Sequence, residues 1–268
     1  EKQIIIFCLS LLFGQVVYML SANLDIILLR GILKEPQQVG YYSAGIRIPK
    51  IIETMFISQI PTPFLYYFTS TETSHLKEKI LIFSSKMLGF LFGIVGLVLF
   101  TFSDYIIPFL FSNKFIESSI VFGFFSLSLP VLAFLILISP FYLSQNKPYV
   151  FVIIHLFTMV IFYNLMNIFL IPKYKFFAPV ISYLLSLVLF AIIVCIDCYR
   201  RYKLNLVFNL VAIVTFLFFV VTLERIFNIK LLAFLTFILV CFLTNTISIQ
   251  DFSKFRFILM KKLENENP

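Results

Sequence analysis

Three ionisable side chains stand inside one apolar stretch: Arg47, Lys50 and Glu53. An ionised group at the centre of a bilayer helix costs about 2.5–3.5 kcal/mol on insertion scales, so intramembrane charge marks function or pairing. At about 100° per residue, Ser43, Arg47, Lys50, Thr54 and Ser58 fall on one helical stripe. Such a stripe can face a water-filled interior. The bland alternative is that Arg47 and Lys50 snorkel to the interface. Glu53 lies deeper and the hydroxyls continue the stripe past it, which favours the interior. Lys50 and Glu53 are three apart, a spacing at which they can pair.

The preceding apolar stretch carries Gln15, Tyr18, Ser21 and Asp25 on about a third of its helical surface. Asp25 has two readings: a partner for Arg30 or for a base of the next helix, or a cavity carboxylate coupled to an ion. Asn164 and Asn167 are three apart and read as helix–helix contacts, with Asn164 also a polar cavity candidate. His155 is alone in its stretch and reads as a packing residue. No catalytic residues, metal ligands or cofactor site are assigned: there is no H-E-x-x-H, no phosphate loop and no Ser/His/Asp grouping. Cys195 and Cys198 form a C-x-x-C, but neither a second pair nor a histidine stands near them, so they read as small apolar residues. The chain is expected not to be an enzyme.

The elements that must position these residues are lipid-spanning helices. Hydrophobic residues make up 61% of 268 and charged residues 13%, against about 45–50% and 25% in soluble domains. That excess cannot be hidden in a soluble core. Runs of about 20 apolar residues are long enough to span, and none shows the alternation of a membrane barrel. Backbone groups in lipid must be satisfied within the segment, so the runs read as helices. The fold class is therefore all-α integral membrane, with about eight transmembrane helices. The spans are Gln3–Leu33, Val39–Phe68, Ile80–Phe102, Ser118–Leu143, Tyr149–Ile171, Phe177–Ile196, Leu204–Leu223 and Leu231–Ile249. Pro49, Pro61, Pro63, Pro130 and Pro140 lie within them and are expected to kink their helices.

The connections are short and polar, with Thr69–Lys79 the longest and partly an interfacial helix. The tail from Asp251 is amphipathic and is expected to lie on the membrane surface. Most Lys and Arg fall on the side that holds both ends, which places both ends in the cytoplasm. The net charge of +8 is explained by those loops and by anionic headgroups rather than by nucleic acid. The chain opens on Glu1 with no basic region before a short apolar core, so no signal peptide is expected, and a longer protein is expected to have lost its beginning.

One stretch carries a resemblance. Asp25-Ile26-Ile27-Leu28-Leu29, followed by Gln38-Val39-Gly40-Tyr41-Tyr42-Ser43-Ala44-Gly45-Ile46-Arg47-Ile48, resembles the opening of the second half of bacterial polysaccharide flippases. These export O-antigen and capsule repeat units and belong to the multidrug/oligosaccharidyl-lipid/polysaccharide exporter superfamily. Phe109–Phe115 is similar to their outer loop before the tenth helix, and Asn164–Tyr174 to their "N-x-x-x-(I/P)-P-k-y-G" passage. The chain departs from that passage at Lys175, where the family has Gly, and at Ala178-Pro179, where it has a small Gly-Ala pair.

The resemblance implies helices seven to fourteen of a fourteen-helix protein: residues 1–198 as the second six-helix lobe, 199–249 as two additional helices, and 250–268 as a cytoplasmic tail. It implies export of an undecaprenyl-diphosphate-linked oligosaccharide across the bacterial inner membrane by alternating access, without a cofactor. The substrate contacts would be Arg47, then Lys50, then Arg30. Cavity or ion-coupling candidates are Asp25, Gln15, Glu53, Ser43, Thr54 and Asn164. Implied partners are the lipid-linked substrate, membrane lipids and a missing N-terminal lobe in the same protein or a separate chain, with a polysaccharide polymerase as a further candidate. Alternatives are a drug or lipid-precursor exporter of the same superfamily, a membrane-embedded surface-sugar polymerase or ligase, and a non-functional half-transporter remnant.

Overall fold

A computed structural model describes residues 2–70, 74–204 and 206. Among these the chain is all-helical. The seventh and eighth expected spans, their division from the lobe and the amphipathic tail lie outside the described residues.

The first helix, α1 (Lys2–Leu33), has no ionisable acid or base between Lys2 and Asp25. It closes where Lys34 adopts φ 55° and returns its N–H to the Arg30 carbonyl. Pro36 then opens α2 (Pro36–Met55), where its missing N–H leaves no bond unmade. The expected second span, Val39–Phe68, is not one helix. It breaks after Met55 into a 3₁₀ turn, Ile57–Gln59, and resumes as α3 (Pro61–Ser70). Pro61 explains the break, since it has no N–H to offer the preceding turn and its ring crowds that turn's carbonyl.

α4 (Ser74–Thr101) takes in residues expected in the polar joint. A helix that the sequence reading left as loop follows it, α5 (Ser103–Phe111). The expected span Ser118–Leu143 is a bent pair, α6 (Ser118–Ser126) and α7 (Leu129–Ser144), meeting at 43°. Pro130 at the start of α7 accounts for the bend. α8 (Pro148–His155) passes through a π-helical segment, Leu156–Phe162, into α9 (Tyr163–Tyr174). α10 (Ala178–Tyr202) completes the bundle.

Among the described residues, two helical stretches are long and apolar enough to cross a membrane, Leu76–Thr101 and Pro148–Tyr202, and the α6–α7 pair is a third if counted as one span. The second runs for 55 residues, about 80 Å if straight, far beyond a hydrocarbon core. It does not run straight. Lys175 adopts φ 51°, ψ −129°, and α10 folds back to pack on α9.

The interior divides into clusters. One joins Phe68 of α3, Leu81 of α4, Phe134 and Phe141 of α7, and Phe190 and Val194 of α10. Another joins Leu29 of α1, Val39 and Tyr42 of α2, Val121 and Phe125 of α6, and Ile171 of α9. Several buried serine and threonine hydroxyls are satisfied inside their own helices: Ser126 donates to the Phe122 carbonyl, Thr158 to Ile154, Ser182 to Ala178 and Ser186 to Ser182. These residues are therefore packing residues, not sites. Gly45 and Gly96 let α6 approach closely. A Cβ on Gly45 would lie 2.9 Å from the Ser118 carbonyl oxygen, and one on Gly96 2.6 Å from that of Ser126.

Candidate functional site

α1 and α2 form a hairpin about the Lys34-Glu35 turn, which brings Asp25 opposite the first half of α2. Asp25 is only 3% exposed. A bare carboxylate there would be costly, and the structure surrounds it with donors. The Tyr42 hydroxyl donates to Oδ2 at 2.5 Å, and the Ile26 N–H to Oδ1 at 2.8 Å. The Lys50 Nζ stands 3.8 Å from Oδ2. Of the two partners expected for Asp25, the base of the second helix is the one found. Arg30 is exposed in the last turn of α1, where its charge complements the helix's negative end.

α2 has two faces. Val39, Tyr42, Gly45, Ile46 and Pro49 are buried, chiefly against α6. Beside that face runs the polar stripe, and it is open: Arg47 and Thr54 are exposed, Ser43 and Ser58 half-buried, and the Lys50 side chain 33% exposed. Arg47 makes no hydrogen bond or ion pair among the described residues. The hydroxyls lower on the stripe turn back on their own helix. Thr54 donates to the Lys50 carbonyl at 2.9 Å, and Ser58 to the Thr54 carbonyl at 2.5 Å, so each oxygen is left mainly as an acceptor. Glu53 falls on the other side, half-buried and close enough to Lys50 for their charges to interact. The direct carboxylate contact of Lys50 is nevertheless Asp25, across the hairpin, rather than its helical neighbour.

The sequence reading missed two tyrosines here. Tyr42 is fully buried, and Tyr163 of α9 borders both Tyr42 and Asp25. Asn167 lies next to Tyr163 with neither amide atom in a hydrogen bond of normal geometry, and it is fully buried. A signal was present, since Tyr163 and Asn167 are four apart and so share a helix face. The asparagines do not act as interhelical hydrogen-bond pairs. Asn164 donates from Nδ2 to the Val160 carbonyl at 2.6 Å, a group in the π segment of its own helix. Its Oδ1 has no partner. The side chain of Gln15 lies outside the described residues.

No family model, curated protein or solved structure matches this chain.

A second polar cluster sits at the opposite end of the bundle. The Tyr142 hydroxyl donates to Asp197 Oδ2 at 2.6 Å, and Arg201 Nε donates to Asp197 Oδ1 at 2.7 Å. Cys198 lies 3.6 Å from the same hydroxyl, and Lys147 stands over the Tyr202 ring. Cys195 is buried in the core beside it. Among the described residues no three His, Cys, Asp or Glu are placed to hold a metal ion. A groove of about 440 Å³ opens between α3 and α7, lined by Thr62, Tyr66, Thr69, Ser144 and Asn146 among others. It has no charged lining residue. The α1–α2 hairpin therefore remains the place where charge, burial and an open face coincide.

Proposed function

We propose that this chain forms one lobe of an exporter for a lipid-linked oligosaccharide, with α2 as a wall of the translocation cavity. The observation that carries the reading is the open cationic stripe of α2, Arg47 above Lys50, backed by a buried carboxylate in an apolar helical protein. The motif resemblance supports it, because Asp25 and the Gln38–Ile48 stretch that carry the likeness are the residues that meet in the hairpin. The proposed setting is the bacterial inner membrane, crossed about eight times, with both ends in the cytoplasm.

The chemistry follows from charge. A diphosphate carrier presents anionic oxygens, and a guanidinium offers them a planar fork of donors. Arg47 is placed for that role because it is exposed and uncommitted. Lys50 is committed to Asp25. Neutralising Asp25, by a proton or a cation, would release the ammonium toward the cavity and add a second positive charge. The two states of the pair thus differ in anion affinity, which a ligand-driven switch requires. Neither step makes or breaks a covalent bond in the cargo.

The test uses full-length protein in cells. Arg47→Ala is expected to reduce surface polysaccharide, with Arg47→Lys retaining part of it. Normal surface polysaccharide in Arg47→Ala cells, at normal protein level, would sink the reading.

A further inference from the structure

α5 spans only Ser103–Phe111, about 13 Å, and is too short to cross a bilayer. A single residue, Phe102, separates it from the long helix α4, so it cannot leave the end of that span. One side is held by protein. Ser103 packs beside Gly123 of α6, and Ile107 is fully buried. The other side meets almost nothing. Tyr105 is 75% exposed and Phe109 87%, with Phe102 and Leu110 also exposed. Phe102, Tyr105 and Phe109 follow the i, i+3, i+7 spacing of one helical stripe. The helix stops at Ser112, and the exposed polar residues Asn113, Lys114 and Glu117 follow directly.

The order along the chain matters. α4 exposes Leu91 and then Val98 along its apolar length, Phe102 continues that exterior, and Tyr105 and Phe109 extend it to the charged turn. Along this stripe the exterior passes from aliphatic to aromatic to charged, the sequence a chain meets on leaving hydrocarbon for water; the exposed Asp104 lies off the stripe, in the first turn of α5. We propose that α5 is a lipid anchor, its Phe102–Tyr105–Phe109–Leu110 face buried in phospholipid at the boundary between acyl chains and headgroups. This rests on reading α4 as a membrane span and is independent of what the protein transports. A second copy of the chain is the competing occupant. Lipid is favoured because the face is continuous with the exterior of a span and grades into charge at its far end.

The chain contains no tryptophan, so a single introduced indole reports without background. Phe109→Trp and Leu91→Trp are each reconstituted, in the full chain, into phosphatidylcholine vesicles. The vesicles contain lipids brominated either near the glycerol or near the acyl-chain end. Phe109→Trp should be quenched about twofold more by the shallow bromines than by the deep ones, as for a helix lying at the interface. Leu91→Trp should show the reverse. Quenching of Phe109→Trp by aqueous iodide without lipid quenching would overturn the proposal. So would protection from both, which indicates a covering protein, or preferential deep quenching. If Leu91→Trp escapes lipid as well, the membrane reading of α4 fails together with the proposal. If Leu91→Trp is quenched deeply while Phe109→Trp is not quenched by shallow bromines, the anchor alone fails.

Discussion

The Tyr42 hydroxyl reaches across the α1–α2 hairpin to the Asp25 carboxylate at 2.5 Å, and both groups are buried. A hydrogen bond to a charged group contributes about 1.5–3 kcal/mol, and leaving the partner unsatisfied in the interior adds to the loss. Tyr42→Phe should therefore destabilise the protein by about 2 kcal/mol. Asp25→Asn should cost at least as much, because it also removes the carboxylate charge 3.8 Å from the Lys50 Nζ. Thermal melts in detergent read both effects. The double variant tests the link: a cost equal to the sum of the two singles would show that the residues do not interact energetically.

Two glycines of α2 should respond in opposite senses. A Cβ on Gly45 would stand 2.6 Å from the Val121 Cβ and 2.9 Å from the Ser118 carbonyl oxygen, whereas nothing lies within 4 Å of one on Gly40. Gly45→Ala should destabilise by about 1–3 kcal/mol through overpacking. Gly40→Ala should stabilise by about 0.5–1 kcal/mol, through lower chain entropy in the unfolded state. Folded yield by size-exclusion chromatography and the melting temperature check both. A stable Gly45→Leu protein would refute the tight α2–α6 contact.

Among the described residues, five non-glycine residues hold the positive φ that favours glycine: Lys34, Ser112, Asn146, Lys175 and Lys203. Ser112 has φ 76°, ψ 164°, and Lys175 has φ 51°, ψ −129°. Such positions cost about 1–3 kcal/mol each for a residue with a side chain. Ser112→Gly and Lys175→Gly should each raise stability by about 1 kcal/mol after the glycine's own entropy cost is subtracted. A fall in melting temperature for either would contradict the assigned geometry.

The Tyr142–Asp197–Arg201 chain should be strongest where it is least exposed. Tyr142 is fully buried, Asp197 is 18% exposed and Arg201 41%. Tyr142→Phe should cost about 1–3 kcal/mol, and Arg201→Ala less than about 1 kcal/mol, since an exposed pair is screened. Melts of the two variants at low and high salt separate the terms, with salt weakening only the Arg201 contribution.

The residues show which parts of the fold were legible. Among the described residues the helical character followed from uninterrupted apolar runs, as did the limits of α1, and Asp25, Arg47 and Lys50 stood out because charge is rare there. Proline was expected to kink these runs: a break precedes Pro61 and a bend lies at Pro130, while Pro49 and Pro140 stand inside continuous helices. α5 was invisible because its aromatic face resembles the end of a span and its length falls below one. Tyr42 and Tyr163 were overlooked for a different reason: tyrosine counts as apolar in a hydropathy window, yet its hydroxyl is what a buried carboxylate needs. The pairing of Lys50 with Asp25 instead of Glu53 depended on the hairpin, which helical spacing alone does not contain.

The π segment at Leu156–Phe162 acts as a phase shifter. A wide turn of this kind takes up one additional residue, so everything after it sits about 100° behind where an uninterrupted α-helix would place it. Tyr163 meets Asp25, and Asn167 meets Tyr163, with that offset already made. Closing this segment as regular α-helix with the same number of residues would leave composition and hydropathy unchanged while turning both side chains by about 100°. The orientation of α9 toward the buried carboxylate is thus set by the residues taken up per turn, a property that no single side chain carries.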